Sequence, residues 1–149
     1  MFRKIVEGRI RTAWRHLDQH DYPHVLDQLA PRFEHSFAGD LALGGTRHTR
    51  EAMSRWFERL FELFPGIRFG VTEVMVRGWP WRTRAAVLID VQADVAGEPY
   101  RNEVTQSIEL RWGRITRIHN LEDTQKLERA LRRLAVSGSP QAELPAIED

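Results

Sequence analysis

The chain has 149 residues, 42% of them hydrophobic, with 22 basic residues against 21 acidic ones. This length supports the core of one domain and is too short for two. The balanced, scattered charge gives no electrostatic footprint for nucleic acid, and the absence of cysteine excludes a disulfide scaffold, a thiolate nucleophile and a cysteine zinc site. The sequence has neither an apolar run of the roughly 20 residues that span a membrane nor a signal-peptide core. We therefore expect a cytoplasmic protein with no membrane or nucleic-acid partner.

Helical periodicity predicts four helices. Each has an apolar stripe at a spacing of three or four residues and is bounded by a capping residue, a proline or a glycine. Three of them precede the strands, and the last follows a cap at Asp123. From Ser137 to Asp149 the Ser, Gly, Pro and Glu content predicts a disordered tail, which leaves residues 1–136 as a single domain. The predicted helices lie at about residues 5–17, 21–30, 49–64 and 123–134.

Between Ile67 and Leu121 the pattern changes to alternating runs separated by turns, which is typical of an antiparallel meander. Helices before and after such a sheet indicate an α+β fold in which the helices cover one sheet face. We therefore predict a cone-shaped domain. Three N-terminal helices pack on a curved antiparallel sheet, a C-terminal helix follows the sheet, and together they enclose a pocket.

The segment 99–112 has the clearest alternation in the chain. A buried amide without a partner costs on the order of 1–3 kcal/mol, so Asn102 and Gln106 must hydrogen-bond inside the core or line a cavity. We interpret both as pocket-lining amides that bind a carbonyl or hydroxyl group, with Tyr100 and Trp56 as flat apolar walls. An aromatic at helical spacing such as Trp56 is also typical of plain core. The inward face of the segment consists of Tyr100, Asn102, Val104, Gln106, Ile108, Leu110 and Trp112.

Another inward polar residue is predicted at His35, which shares its strand parity with Phe33 and Phe37. An unperturbed histidine pKa of about 6.5 suits a general base near neutral pH. The alternative is a core histidine that is hydrogen-bonded to the backbone. No metal site is predicted from the sequence.

Four short sequence segments between residues 5 and 135, taken in order, resemble those of a known family. They are Leu43–His48, Trp56–Leu60, Leu63–Phe69, and Trp112–Ile115 running on to Asp123. With the order of elements, they resemble the nuclear transport factor 2-like superfamily, in particular its SnoaL-like polyketide cyclase and ketosteroid isomerase branches. The resemblance implies a cone-shaped pocket, homodimers through the outer sheet face, and no metal or organic cofactor. It does not imply one activity, because this fold hosts isomerases, cyclases, epoxide hydrolases, dehydratases and non-catalytic binding domains.

The ketosteroid isomerase branch implies positions for two acid–base groups. Its general base lies on the segment that corresponds to residues 33–37, where His35 is the matching occupant. Its oxyanion acid corresponds to Gln106, whose amide donates a hydrogen bond but cannot release a proton. Its tyrosine falls near Ala13 or Trp14, so the phenolic donor is absent here.

The SnoaL-like branch implies an acid–base residue at the end of the last strand, where Asp123 stands, and a partner histidine for which His119 is the candidate. Asp123 is also predicted as a helix N-cap, and the two roles are compatible. The direction of His119 stays open because a bulge would change the strand register. Epoxide hydrolases of the superfamily use a catalytic set of Asp, Arg and Asp. In this chain only Asp90 corresponds to a member of that set, so epoxide hydrolysis is disfavoured.

These features favour a cofactor-free protein that binds a small, largely apolar ligand. If it is an enzyme, His35 with Asp123 or His119 transfers a proton. Asn102 or Gln106 then stabilises an enolate oxygen, as in an isomerase, cyclase or dehydratase. The alternative is a non-catalytic ligand-binding or dimerisation module, which the missing phenol and the missing carboxylate pair favour. The outer sheet face, through which we expect a homodimer, carries Arg101, Thr105, Ser107 and Glu109.

Overall fold

The computed structural model describes all 149 residues and contains four α-helices and six strands. The helices are α1 (Phe2–Asp18), α2 (Pro23–Leu26), α3 (Arg50–Leu63) and α4 (Thr124–Val136), and a 3-10 helix follows at Pro140–Glu143. The strands are β1 (Leu29–Phe37), β2 (Gly45–Arg47), β3 (Arg68–Trp79), β4 (Arg82–Val95), β5 (Glu98–Arg111) and β6 (Arg114–Leu121). None of the helices combines the length and the apolar character needed to cross a membrane.

All six strands form one sheet in the order β2-β1-β6-β5-β4-β3. Strands β3 to β6 pair as antiparallel neighbours, which confirms the predicted meander. Strand β1 runs parallel to β6, so the sheet is mixed rather than purely antiparallel. The predicted α+β architecture of helices packed on a sheet is confirmed. The sheet also includes β1 and β2, which lie between α2 and α3 in the chain and form one edge of the sheet.

Side-chain caps fix the starts of α3 and α4. The Thr49 hydroxyl accepts a hydrogen bond from the Ala52 N–H at the start of α3. The Asp123 carboxylate accepts from the first free N–H groups of α4. Because the N-cap of α4 comes directly after β6, the residues at this junction are held at a defined place beside the sheet.

Strand β5 alternates as predicted, with every even residue from 100 to 110 buried. Trp112 is the exception, since it is 73% exposed. Trp112 and Gly113 have positive φ angles of 49° and 78° and form the turn between β5 and β6. A tight hairpin turn of this kind needs the left-handed region at both central residues. The prediction for Trp112 was wrong because the alternation ends at Arg111, where the turn begins.

Residues 137–149, called here the C-terminal segment, do not form the disordered tail that the sequence predicts. Ala142 and Ile147 are buried. The Asp149 carboxylate accepts hydrogen bonds from the backbone N–H groups of His48 and Thr49 at 2.6 and 2.8 Å. The segment is held by two small apolar contacts and by hydrogen bonds to the backbone, and neither leaves a periodic pattern in the sequence.

Candidate ligand cavity and its polar residues

A cavity of about 120 Å³ lies between the helices and the inner face of the sheet. Thirty residues line it and 24 of them are hydrophobic, with Trp56 and Tyr100 among the lining residues, as predicted for the pocket walls. An engineered apolar cavity of about 150 Å³ in another protein holds one benzene ring, so this cavity has the scale of a ligand built around a single ring. The polar residues of the lining are Arg9, Gln28, His35, Gln106, Asn120 and Glu122.

Two of these polar residues are used within the protein. Arg9 Nη2 donates to Gln28 Oε1 at 3.2 Å and to the Gly113 carbonyl oxygen at 2.9 Å. These bonds tie α1 to the residue just before β1 and to the turn between β5 and β6. Neither side chain is therefore assigned as a ligand contact, and four other polar residues belong to the lining.

His35 on β1 lies opposite Arg47 on β2 in the antiparallel pair. Both side chains are buried, with 3% of His35 and none of Arg47 exposed. Arg47 Nη1 lies 2.6 Å from His35 Nδ1, and a guanidinium group can only donate. Nδ1 therefore accepts this bond, and neutral His35 carries its proton on Nε2.

The environment of His35 keeps the ring neutral. Burial lowers the pKa of His35 well below 6.5, and the positive charge of Arg47 lowers it further, with a smaller contribution from His119. Burial also lowers the pKa of Arg47, to about 10, so Arg47 stays charged at neutral pH. His35 lines the cavity as predicted, but uptake of a proton there is opposed by both burial and charge.

Polar side chains link three neighbouring strands beside the cavity. Gln106 Nε2 on β5 donates to Asn120 Oδ1 on β6 at 2.9 Å. Asn120 Nδ2 donates to the Ser36 carbonyl oxygen on β1 at 3.2 Å and lies 3.3 Å from His35 Nε2. The Gln106 carbonyl oxygen has no hydrogen-bond partner in the protein, so it is left as an acceptor on the cavity wall.

Glu122 is a cavity residue that the sequence analysis missed. It follows the end of β6, is partly buried, and contributes to the lining. Burial raises the pKa of Glu122 from 4.5 to about 8, and the negative charge of Asp123 adds to the rise. The carboxyl group is therefore mostly protonated at pH 7. The signal was the parity of Ile118 and Asn120, which continues to Glu122 if the strand is extended by one residue beyond Leu121.

Asn102 is buried, as predicted, but it is absent from the cavity lining. Its Nδ2 donates to the Tyr100 hydroxyl at 2.9 Å and to the Asp123 carbonyl oxygen at 3.0 Å. Burial raises the pKa of Tyr100, and the charge of Glu122 contributes, so the phenol keeps its proton. Asn102 therefore orients Tyr100, whose hydroxyl hydrogen remains available to donate.

Asp123 and His119 lie outside the cavity. The Asp123 carboxylate is exposed and accepts hydrogen bonds from the first turn of α4, so the capping role is the one observed. His119 points to the other face of β6 from Asn120, where its Nδ1 bonds the Ser36 hydroxyl. The expected pairing of His35 with either residue is not formed, because strand alternation turns His119 away and the helix N-terminus holds Asp123.

Comparison with known proteins agrees with this architecture. The family model of the SnoaL-like domain matches residues 10–118. PrhC from Penicillium brasilianum has a TM-score of 0.77 at 15% identity, over 93% of both chains. IdmH from Streptomyces antibioticus, provisionally described as a polyketide cyclase, has a TM-score of 0.68 at 16% identity, over 87% of this chain and 97% of its own. TerC, co-crystallised with polyporic acid, has a TM-score of 0.66 at 19% identity, over 83% of this chain and 95% of its own.

No curated protein matches the chain in sequence. The structural similarities occur at low identity and establish the fold, whereas the family model covers most of the chain. The chain therefore belongs to the SnoaL-like domain family, within the nuclear transport factor 2-like superfamily.

Proposed function

We propose that the protein binds a small, largely apolar molecule with a carbonyl group and catalyses proton transfer at the carbon next to that carbonyl. The observation that carries the proposal is Glu122, a carboxyl group in a mainly apolar cavity with a pKa of about 8. An acid–base catalyst works best when its pKa lies near the operating pH. Proton transfer next to a carbonyl is a step shared by isomerases, aldol-type cyclases and many dehydratases.

In the proposed reaction, ionised Glu122 removes the proton from carbon, and the electron pair of the broken C–H bond moves toward the carbonyl oxygen to form an enolate. Protonated Glu122 then returns the proton to a carbon of the enolate. In a cyclisation, the enolate carbon instead attacks a second carbonyl carbon, the electron pair of that C=O bond moves to its oxygen, and Glu122 gives its proton to the resulting alkoxide. The Tyr100 hydroxyl accepts a hydrogen bond from Asn102 and has its own hydrogen free to stabilise the enolate oxygen. The free carbonyl oxygen of Gln106 accepts a hydrogen bond from a hydroxyl group elsewhere on the ligand.

Two relatives support a small organic ligand. TerC was co-crystallised with polyporic acid, and IdmH is provisionally described as a polyketide cyclase. The cavity volume of about 120 Å³ limits the enclosed part of the ligand to about one ring.

The exchange of the hydrogens next to the carbonyl of cyclohexanone tests this proposal without knowledge of the natural substrate. The ketone is dissolved in deuterated buffer with the protein, and the loss of those hydrogens is followed by proton NMR. We expect saturable acceleration that rises with pH and levels off above about pH 8, since Glu122 must be ionised to act as the base. Glu122→Gln should abolish the acceleration, whereas Glu103→Gln, which changes an exposed carboxylate on the outer face of β5, should retain it. Equal exchange with wild type and Glu122→Gln would refute the assigned role.

A non-catalytic ligand-binding module is the alternative from another class. It is favoured by His35, because Arg47 occupies the one nitrogen of the neutral ring that could accept a proton. Saturable binding of cyclohexanone, measured by tryptophan fluorescence because Trp14 and Trp56 line the cavity, without any exchange by the wild-type protein would establish this alternative and reject the enzyme.

A further inference from the structure

Arg47 is a buried cation with no carboxylate in contact. Its Nε donates to the Ile147 carbonyl oxygen at 2.9 Å, Nη2 donates to the Gly44 carbonyl oxygen, and Nη1 donates to His35 Nδ1 at 2.6 Å. The guanidinium carbon also lies 5.4 Å from the centre of the Trp56 ring. Burying a charge without a counter-ion is unfavourable. Packing alone therefore does not account for an arginine at this position.

The C-terminal segment supplies one of the acceptors that hold Arg47. The Ile147 side chain is buried, which fixes the carbonyl oxygen that Arg47 contacts. On the following residues, the Glu148 carboxylate accepts from the Thr46 N–H at 3.1 Å, and the Asp149 carboxylate accepts from two backbone N–H groups just before α3. Both carboxylates raise the pKa of Arg47 and so oppose the effect of burial. The chain end is thus built into the surroundings of the guanidinium group.

Arg47 in turn limits what His35 can do. Because Arg47 donates to Nδ1, the proton of the neutral ring is on Nε2. Asn120 Nδ2 lies 3.3 Å from Nε2, but an amide nitrogen only donates and cannot accept a hydrogen bond from Nε2–H, and its donation to the Ser36 carbonyl oxygen fixes the orientation of the amide. The Nε2–H group therefore has no acceptor in the protein, although His35 lines the cavity. A buried donor without a partner is unfavourable, and the oxygen atom of a bound ligand would satisfy it.

We infer that His35 binds the ligand oxygen through its Nε2–H as a hydrogen-bond donor, and that Arg47, held by the C-terminal segment, is the positioning residue that selects this tautomer. The inference rests on the proposed function for the presence of an oxygen-bearing ligand in the cavity. It assigns His35 the stabilisation of the enolate oxygen, beside Tyr100, and leaves the proton transfer to Glu122. It also makes residues 147–149 part of the site.

The tautomer can be measured on the full-length protein without any ligand, by nitrogen-15 NMR of labelled histidine side chains. The chain has six histidines, and the His35→Gln variant identifies the signals of His35. We expect Nδ1 to have the shift of an unprotonated nitrogen and Nε2 that of a protonated one. A proton on Nδ1 in the wild-type protein would overturn the inference, while leaving the role of Glu122 unaffected.

Two variants test the positioning by Arg47 and by the chain end. Arg47→Met removes the donors at similar side-chain length, and truncation after Ala146 removes the Ile147 carbonyl and both carboxylates. Each should convert the single His35 tautomer into a mixture and weaken cyclohexanone binding about tenfold, in line with the loss of one hydrogen bond. The matched control is Arg50→Met, since Arg50 also donates to a backbone carbonyl but does not contact His35. If the truncated protein and the wild type have the same His35 spectrum, the chain end has no part in the site.

Ligand binding distinguishes the proposed role of His35 from the catalytic role of Glu122. Saturating cyclohexanone should shift the Nε2 signal of His35 and its attached proton, whether or not the ketone exchanges its hydrogens. A shift without exchange supports the inference and rejects the catalytic role of Glu122. Exchange without any change at Nε2 rejects the inference and supports Glu122.

Discussion

Replacing Glu122 with glutamine should stabilise the protein at neutral pH while removing the proposed activity. The pKa of Glu122 is raised from 4.5 to about 8 in the folded protein. The unfolded chain therefore releases this proton at a lower pH than the folded chain does. Below about pH 4 the group has no effect on stability, between the two pKa values stability falls as the pH rises, and above about pH 8 the loss is complete. Glutamine has the shape of the protonated acid and never becomes charged.

The magnitude follows from the pKa difference. One pKa unit corresponds to about 1.4 kcal/mol, so a fully buried group would lose about 5 kcal/mol above pH 8 and about 3 kcal/mol at pH 7. Glu122 is partly exposed, and solvent reduces the effect to about 1–2 kcal/mol at pH 7. We expect Glu122→Gln to raise the free energy of unfolding by this amount at pH 7 and to change it little at about pH 5.

Urea unfolding at a series of pH values, on wild type, Glu122→Gln and the control Glu103→Gln, measures the difference directly. The comparison between variants removes the contribution of other titrating groups, because they are common to all three proteins. The free-energy gap between wild type and Glu122→Gln should widen between pH 5 and pH 8, and the control should follow wild type. A gap that stays constant over this range, or a glutamine variant that is less stable at pH 8, would show that the carboxyl group is not held protonated by the fold.

Three further predictions concern the C-terminal segment, the amide pair and assembly. Truncation after Val136 should lower the melting temperature by about 5–10 °C, because it exposes the apolar surface that Ile147 covers and removes one hydrogen-bond acceptor of the buried Arg47. An unchanged melting temperature would mean that the C-terminal segment does not pack against the domain. Gln106→Leu should reduce the free energy of unfolding by about 1–3 kcal/mol in urea titration, because it leaves the Asn120 Oδ1 atom without its donor, and a neutral effect would contradict that hydrogen bond. Light scattering at tens of micromolar should give the mass of a homodimer, and Thr105→Arg on the outer face of β5 should give a monomer, whereas a monomeric wild type would reject this mode of assembly.

The features that sequence predicts well are those with a local physical cause. The alternation of β5 follows from a strand with one buried face, and it gives the direction of Asn102 and Gln106 correctly. The cap at Asp123 follows from the free N–H groups of a helix start. The direction in which a side chain points does not, however, tell whether it binds a ligand or supports the fold. Gln106 reaches the cavity, while Asn102 is used to hold Tyr100.

The features that sequence analysis misses depend on contacts between distant segments. Periodicity identifies β1 as a strand but not its parallel partner β6, which lies far along the chain. Arg47 has nothing in its local sequence that predicts burial, since its acceptors come from a loop, from another strand and from the chain end. Glu122 was missed for a different reason, because the neighbouring Asp123 matched both a cap and a family position.

The two groups that are least favourable to bury lie at the same cavity. Glu122 is on its wall, and Arg47 lies directly behind His35. An apolar residue of similar size would stabilise a purely structural core better than a buried charge without a counter-ion does. Shifted pKa values of this kind cluster at functional sites because the chemistry requires them. If the two residues serve only the fold, replacing either one with an uncharged residue of similar size should change neither ligand binding nor proton exchange. A variant that gains stability and loses exchange, as we expect for Glu122→Gln, is the result that separates a functional carboxyl group from a structural one.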